Sequence, residues 1–530
     1  MTKRSFLRGA LILAIASGIS RILGVVSMVL LPRIIKPDGM GLLQLVNPIF
    51  YFAAVVAIFS IPTSVSKMVS ERAATKSYQA VFRVLKVALM FMVVTGLLAT
   101  VLMIVSARFL AEVVAKDPGV YPILLVLAPA AFFLAIGGAF RGFFQGMQNM
   151  TPPALSQIVD QLIKVVGGVV FALWLMPKGI EYAAAGVASA RVIGEILGVM
   201  ILVGFYFMNK RSLEKEQKRE IIKEDYPSIL KEMLALAVPL LTATVLWPVM
   251  QMLDTFVLPT RLQSLGYSAE HIRAMAGYLG MALTVSQFPN IITVALSTSL
   301  IPAISEAHAL GSRLLIRRRA EEAVRLAVLF GIPAFVGLFI LAEPISTMLF
   351  NYPEVGAPLK ILAIGTLVLG LNQASNGVLV GLGSVLVPVR NLTMGLIVKL
   401  ILNLVLTSIS SIGYLGAAWG STFGWLVVAL LNFSAVKKRS QLSISFKETV
   451  IKPVFAALIM GFSAYFLYDN LVLFTASQPI ATLGAIFLGV PLYFLVLMIG
   501  GVISRHDIEM LPRIGRKLAD FLVEWKFIKE

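Results

Sequence analysis

Apolar runs of about 20 residues recur from one end of this chain to the other, each long enough to cross the roughly 30 Å hydrocarbon core of a bilayer as an α-helix. Lipid offers backbone N–H and C=O groups no partners, so only helices and closed barrels span it. Runs of this length belong to helices, and about fourteen can be placed by length and hydropathy. They lie near residues 6–31, 42–66, 84–107, 120–142, 154–176, 182–208, 229–258, 277–305, 323–344, 358–382, 385–411, 413–436, 453–473 and 479–503. Composition agrees: 58% of the 530 residues are hydrophobic and 14% charged, against about a quarter charged in a soluble domain. The reading is an all-α polytopic membrane protein with about fourteen transmembrane helices.

Several function classes fall away. The chain has no cysteine, so it has no disulfides, thiol nucleophiles or thiolate metal sites. His271, His308 and His506 are far apart and show no metal-ligand spacing. There is no GxxxxGK[ST] loop to cradle a nucleotide. The first run follows basic residues as a signal peptide does, yet it continues to about Leu31, too long for a signal h-region, and reads as an uncleaved first span.

The net charge of +18 would suit nucleic acid, but the positions of the charges argue otherwise. Basic residues crowd alternate loops, as at Lys3, Arg4 and Arg8, at Lys67 to Lys86, at Lys210 to Lys223, at Arg313 to Arg319, at Lys437 to Lys452 and after Arg505. Loops of the other set carry few, among them Arg33, Lys116, Lys178, Arg261 and Arg273. Short basic loops stay in the cytoplasm, which places both termini inside and accounts for the charge without nucleic acid.

The segment 209–228 alternates charge at helical spacing and reads as a solvated cytoplasmic linker between two halves. The halves resemble each other at an offset of about 235 residues. Gly142, Gly146, Pro153 and Lys164 fall on Gly377, Gly381, Pro388 and Lys399, and Ser70-Glu71 falls on Ser305-Glu306. Repeats of about six spans mark a transporter, and an even number per repeat makes them parallel. The expected layout is two pseudo-symmetric six-helix lobes, 1–208 and 229–436, with the linker between them. Two further helices and a basic tail fill 437–530. The substrate site is expected between the lobes.

Ionised side chains inside the bilayer are costly and face a partner or a watery cavity. Arg21 has no acidic neighbour within helical reach. Lys164 and Lys399 lie about ten residues into their spans, deep for snorkelling. Arg191 and Glu195, four apart, share a face and can neutralise each other. Asp254 can partner a cation on another helix. Few buried acids against Arg21, Lys164 and Lys399 would make an electropositive cavity, one that suits an anion and phosphate in particular. These three, with Arg191 and Glu195, form the candidate substrate-binding set.

The stretches SFLRGALILAIASGISRILG, PTSVSKMVSE, FRGFFQGMQNMTPPALSQ and GIEYAAAG resemble the stage V sporulation protein B family of polysaccharide-biosynthesis transporters. SQFPNIITVALSTSLIPAISE resembles the corresponding stretch of the lipid II flippases, within the multidrug/oligosaccharidyl-lipid/polysaccharide (MOP) exporter superfamily. The resemblance covers nearly the whole chain. It implies a flippase, not an enzyme, working by alternating access in the bacterial cytoplasmic membrane. Its substrate would be an undecaprenyl-pyrophosphate-linked peptidoglycan precursor, lipid II, with a role in the spore cortex and cell-wall synthesis enzymes as partners. A cationic cavity would hold pyrophosphate and sugar, and a groove at the thirteenth and fourteenth spans the lipid tail. Arg21 matches a cavity arginine of the lipid II flippases, while two further family arginines fall on Ser27 and Thr284 here. Asp254 and Thr255 match a sodium-site position, with Asn403 as a second ligand for an ion-coupling set. No cofactor beyond a coupling sodium ion is implied.

Three alternatives stay open. Another polyprenyl-linked oligosaccharide could be the cargo. A multidrug antiporter fits less well, because drug-type cations want acidic cavities. A glycosyl-polymerising enzyme needs a catalytic acid or base outside the bilayer, and the largest expected outer loop, 259–276, offers only Glu270 and His271.

Overall fold

In a computed structural model the structure describes residues 3–215, 225–502 and 520. The expected linker is described only at its two ends, and the basic tail lies almost wholly outside the described residues. Among those described there is helix and turn but no strand.

The first spans are α1 (Lys3–Ile58), α2 (Ile61–Ala74), α3 (Tyr78–Phe109), α4 (Val120–Gly146), α5 (Thr151–Leu175), α6 (Ile180–Lys215) and α7 (Tyr226–Ser264). They are followed by α8 (Ala269–Ser286), α9 (Asn290–Ala309), α10 (Arg313–Ile340), the short α11 (Ala342–Phe350) and α12 (Gly356–Gly381). The chain ends with α13 (Leu386–Leu406), α14 (Leu415–Ser440), α15 (Lys452–Thr475) and α16 (Gln478–Ile499). Thirteen of the described helical segments are long and apolar enough to cross a membrane, and one of them, Leu11–Ala74, is long enough for two crossings. About fourteen spans is consistent with this.

Two local breaks have legible causes. α1 changes direction at Lys36, whose φ of 58° and ψ of 177° leave the helical region. Pro37 follows, and a proline bars the preceding residue from αR. The single run expected over 277–305 is instead two helices, α8 and α9, separated by a turn through Gln287, Phe288 and Pro289.

The chain forms two compact units, Met1–Gly277 and Tyr278–Glu530, with the division falling inside α8. In the first, α1 lies against α4, α5 and α7, while α6 packs on α4 and α5. Thus α7, placed by the sequence at the start of the second lobe, packs against α1 in the first unit. In the second unit, α12 is surrounded by α9, α10 and α14, and α10 also carries α15. Its core includes Leu329, Ile332, Val378 and Tyr493. The Tyr493 hydroxyl donates to the Leu329 carbonyl at 2.8 Å, so its polar tip is satisfied. Outward positions such as Val105, Phe462 and Leu473 are exposed, as expected of surfaces solvated by acyl chains.

Within the first unit, α1 and α8 meet backbone to backbone. A Cβ at Gly41 would overlap the Arg273 carbonyl, and one at Gly277 would overlap the Pro37 carbonyl. Gly41→Val is therefore expected to cost about 1–3 kcal/mol or more through overpacking. Gly204→Ala, at a glycine with open space around it, is expected to be neutral. Melting temperatures of the two purified variants check this, and equal values would show that the α1–α8 crossing is not close.

A polar stripe in each unit as the candidate functional site

α5 and α13 are built inside out. α13 buries Asn391, Gly395, Lys399 and Asn403, and no other residue. These stand four apart, on one face, while Met394, Ile397, Ile401 and Val405 are exposed. A helix in lipid inverts the usual arrangement, with its polar face toward protein. α5 has the same stripe: Ser156, Asp160, Gly168 and Ala172 are buried on it, and Lys164 stands between them, half-buried. At the repeat offset, Ser156, Asp160, Lys164 and Gly168 fall on Asn391, Gly395, Lys399 and Asn403.

Small residues bring the neighbouring helix close in both cases. α6 carries Gly186, Ala190, Gly194 and Gly198, and α14 carries Gly416, Gly420 and Gly424, all at spacings of four. A Cβ at Gly194 would sit 2.8 Å from the Asp160 carbonyl, and one at Gly395 would sit 2.7 Å from the Gly424 carbonyl. Such stripes permit the near backbone approach that drives association where no hydrophobic force acts between helices.

In the first unit this approach assembles a charge network. The Lys164 ammonium donates to Asp160 Oδ2 at 2.7 Å and to Glu195 Oε1 at 2.8 Å. Arg141 from α4 donates to Glu195 Oε2 at 3.4 Å. Glu195 is only 3% exposed. Arg191 does not take Glu195 as its hydrogen-bond partner, although the two share a face. Its guanidinium donates to Asn47 Oδ1 at 3.1 Å and lies 4.5 Å from the Phe50 ring centroid and 4.8 Å from that of Tyr51. Lys164 thus has two carboxylate partners, which corrects the expectation that it adds uncompensated positive charge. With Arg141, Lys164 and Arg191 against Asp160 and Glu195, the cluster keeps one net positive charge. Asp160 and Arg141 were not among the expected site residues. Asp160 was visible as the i−4 neighbour of Lys164, whereas Arg141 reaches Glu195 across 54 positions of sequence.

The second unit is differently charged. Lys399 is 2% exposed. α12, α13 and α14 contain no aspartate or glutamate. Where the first unit has Asp160 on α5, α13 has Gly395. Aligning Gly194 with Gly424, Glu195 falls on Trp425. Nearby, Asn391 donates to Asn432 and Asn432 to Asn372, both at 2.7 Å, which locks the three helices by neutral hydrogen bonds.

Arg21 is exposed on α1 and makes no ion pair among the described residues. Asp254 and Thr255 are buried on α7 in the first unit, and Asn403 is buried on α13 in the second. No group of three or more His, Cys, Asp or Glu fit to hold a metal occurs among the described residues. At the loop end of the first unit Arg273 is clamped by both oxygens of Asp117 and by Glu181 at 2.9 Å. The hydrogen bonds that Arg273 donates to Asp117 hold its guanidinium protonated even more firmly than usual. In the second unit an apolar cavity of ≈ 450 Å³ opens between α10, α15 and α16, lined by Phe330, Pro333, Met460, Ala464 and Gly489.

Residues 6–308 match the polysaccharide biosynthesis protein family. The chain belongs to that family. A second match, to MatE, covers residues 239–405. Stage V sporulation protein B of Bacillus subtilis (strain 168) is 29% identical over 97% of this chain and 99% of its own length. Lipid II flippase MurJ of the same organism is 26% identical over 86% of this chain and 87% of its own. Among solved structures, lipid II flippase MurJ in an inward closed conformation superposes with a TM-score of 0.69 at 16% identity, covering 92% of this chain and 98% of that one. An inward-facing multidrug resistance MATE family transporter of the MOP superfamily gives 0.66 at 13% identity, covering 80% and 94%. The fold is that of the MOP superfamily transporters, and this family member is a multi-pass bacterial membrane protein, a transporter and not an enzyme.

Proposed function

We propose that this protein is a flippase for an undecaprenyl-pyrophosphate-linked glycan, and that the glycan is the peptidoglycan precursor lipid II, used in the spore cortex. The observation that carries this is the end-to-end similarity to stage V sporulation protein B, with lipid II flippase MurJ also aligning over most of the chain. The buried basic chemistry supports an anionic cargo over a cationic drug: the cluster of Arg141, Lys164 and Arg191 with Asp160 and Glu195 keeps one net positive charge, and Lys399 is a further buried cation. The apolar cavity at α15 and α16 supports a prenyl tail, since it offers hydrocarbon-like walls without polar demands.

In this reading Arg21 and Lys399 bind pyrophosphate, Arg21 bidentately because a planar guanidinium matches phosphate oxygens. Lys164, held by Asp160 and Glu195, serves as a cation released only when those carboxylates are neutralised. Asp254, Thr255 and Asn403 are the proposed contributors to coupling by sodium. Both termini face the cytoplasm, following the basic loops, and cell-wall synthesis enzymes would receive the flipped lipid.

The test is the leaflet accessibility of lipid II in cells depleted of their own flippases and complemented by this chain. The wild type is expected to restore outward-facing lipid II, and Arg21→Ala to fail at equal expression. A well-expressed wild type that restores nothing would remove lipid II as the cargo and bring another polyprenyl-linked oligosaccharide forward. An Arg21→Ala variant as active as wild type would remove the arginine from the site.

A further inference from the structure

A second, separate cavity lies in the first unit between α3 and α6. It has a volume of ≈ 930 Å³. Arg83 and Lys86 enter it from α3 and Lys210 from α6. Gln79, Phe82, Arg83, Lys86, Leu89, Met90 and Val93 recur at spacings of three and four along α3, so one helical face forms a whole wall. That wall is graded. Its cations occupy the first turns of α3, at the end that the charge asymmetry assigns to the cytoplasm. Val93 is seven residues beyond Lys86, about 10 Å farther along the helix axis.

The far end of the wall opens outward, with Met90 58% and Val93 39% exposed. The back of the cavity is stiff. Tyr206 packs edge-on against Phe82, Phe140 and Phe143, with ring centroids 5.7 to 6.1 Å away. At the rim the Lys86 ammonium meets the Tyr226 hydroxyl at 3.3 Å and stands 5.2 Å from its ring, which positions the charge without neutralising it.

We propose that this cavity binds the phosphate headgroup of an anionic phospholipid from the cytoplasmic leaflet, with an acyl chain lying along Met90 and Val93. The chemistry required is a phosphate diester joined to a hydrocarbon chain. Three cations at the interface meet the first need, and the exposed apolar wall meets the second. A free phosphate ion would use the cations and leave the wall without purpose. Basic pockets between transmembrane helices on the cytoplasmic side are suited to such headgroups. None of the residues lining the cavity belongs to the polar stripe of α5, so its occupant is a bound membrane lipid and not the cargo.

The test titrates the purified full chain in detergent with dioleoyl phosphatidylglycerol and, separately, dioleoyl phosphatidylcholine, counting bound lipid by native mass spectrometry. Each cation near a lipid phosphate contributes about fivefold in affinity, so removing three costs about 100-fold. The wild type is expected to prefer phosphatidylglycerol, and the variant R83Q/K86Q/K210Q to lose that preference while still eluting as a single species. K86R, which keeps the charge, is expected to retain it. M90Q/V93Q, which leaves every charge in place, is expected to hold phosphatidylglycerol more weakly. Equal preference in wild type and triple variant overturns the proposal. So does displacement of phosphatidylglycerol by millimolar inorganic phosphate, which would mark a soluble-anion site. Stoichiometric displacement by undecaprenyl pyrophosphate would mark a cargo site and overturn it as well. Lipid II accessibility in cells reports on Arg21 and Lys399 independently, so the two readings can fail separately.

Discussion

Lys164→Met is expected to destabilise the protein by about 3–5 kcal/mol, because breaking a buried ion pair strands the remaining charge. The ammonium stands between Asp160 at 2.7 Å and Glu195 at 2.8 Å. With it gone, two carboxylates share one low-dielectric pocket, and they keep only Arg141, 3.4 Å from Glu195, as an ion-pair partner among the described residues, with Arg191 acting from farther away. Removing the whole network is a different perturbation. Adding Asp160→Asn and Glu195→Gln to Lys164→Met is expected to recover most of the loss, since a neutral, hydrogen-bonded cluster carries no uncompensated charge. The measurement is the melting temperature of the purified protein in one detergent for wild type, single and triple variants. A triple variant no more stable than Lys164→Met would show that the cost lies in lost packing of the lysine stem and not in the stranded acids.

The contrast between Lys164 and Lys399 shows which features sequence alone could carry. The spans were legible because a run of about 20 apolar residues has one stable solution in lipid. The repeat was legible too, since Gly142, Pro153 and Lys164 fall on Gly377, Pro388 and Lys399 by simple offset. The repeat concealed an asymmetry, however. Equal lysines suggested equal roles, while the carboxylates that pair with Lys164 sit on the neighbouring turn and the neighbouring helix. Asp160 is one turn before Lys164, where Gly395 precedes Lys399, and Glu195 falls on Trp425. The glycine stripe on α6 was the available signal that Glu195 would be pressed against α5. The link from Arg141 to Glu195 depends on how α4 packs on α6, a tertiary fact with no local signature. The break between α8 and α9 was similar: Phe288-Pro289 lies inside an apolar run, and hydropathy averages over it.

Lys399→Met is expected to fold and to lose transport, the reverse of its counterpart. The asparagine chain from Asn391 through Asn432 to Asn372 still joins the three helices. The structural cost is that of one hydrogen-bonding group, about 1 kcal/mol. A thioether of similar length refills the buried volume. Transport should suffer more. A charge-assisted hydrogen bond to a phosphate oxygen contributes roughly 1.5–3 kcal/mol, so flipping at limiting cargo should fall by roughly 10- to 100-fold. Lys399→Arg, which keeps the charge in a larger head, should retain more activity than Lys399→Met despite the poorer fit. Melting temperature and outward lipid II are read on the same three proteins. A Lys399→Met variant that flips like wild type would show that the buried ammonium serves packing alone. One that melts as low as Lys164→Met would show that Lys399 balances a carboxylate brought by another helix, and the two lysines would then be equivalent after all.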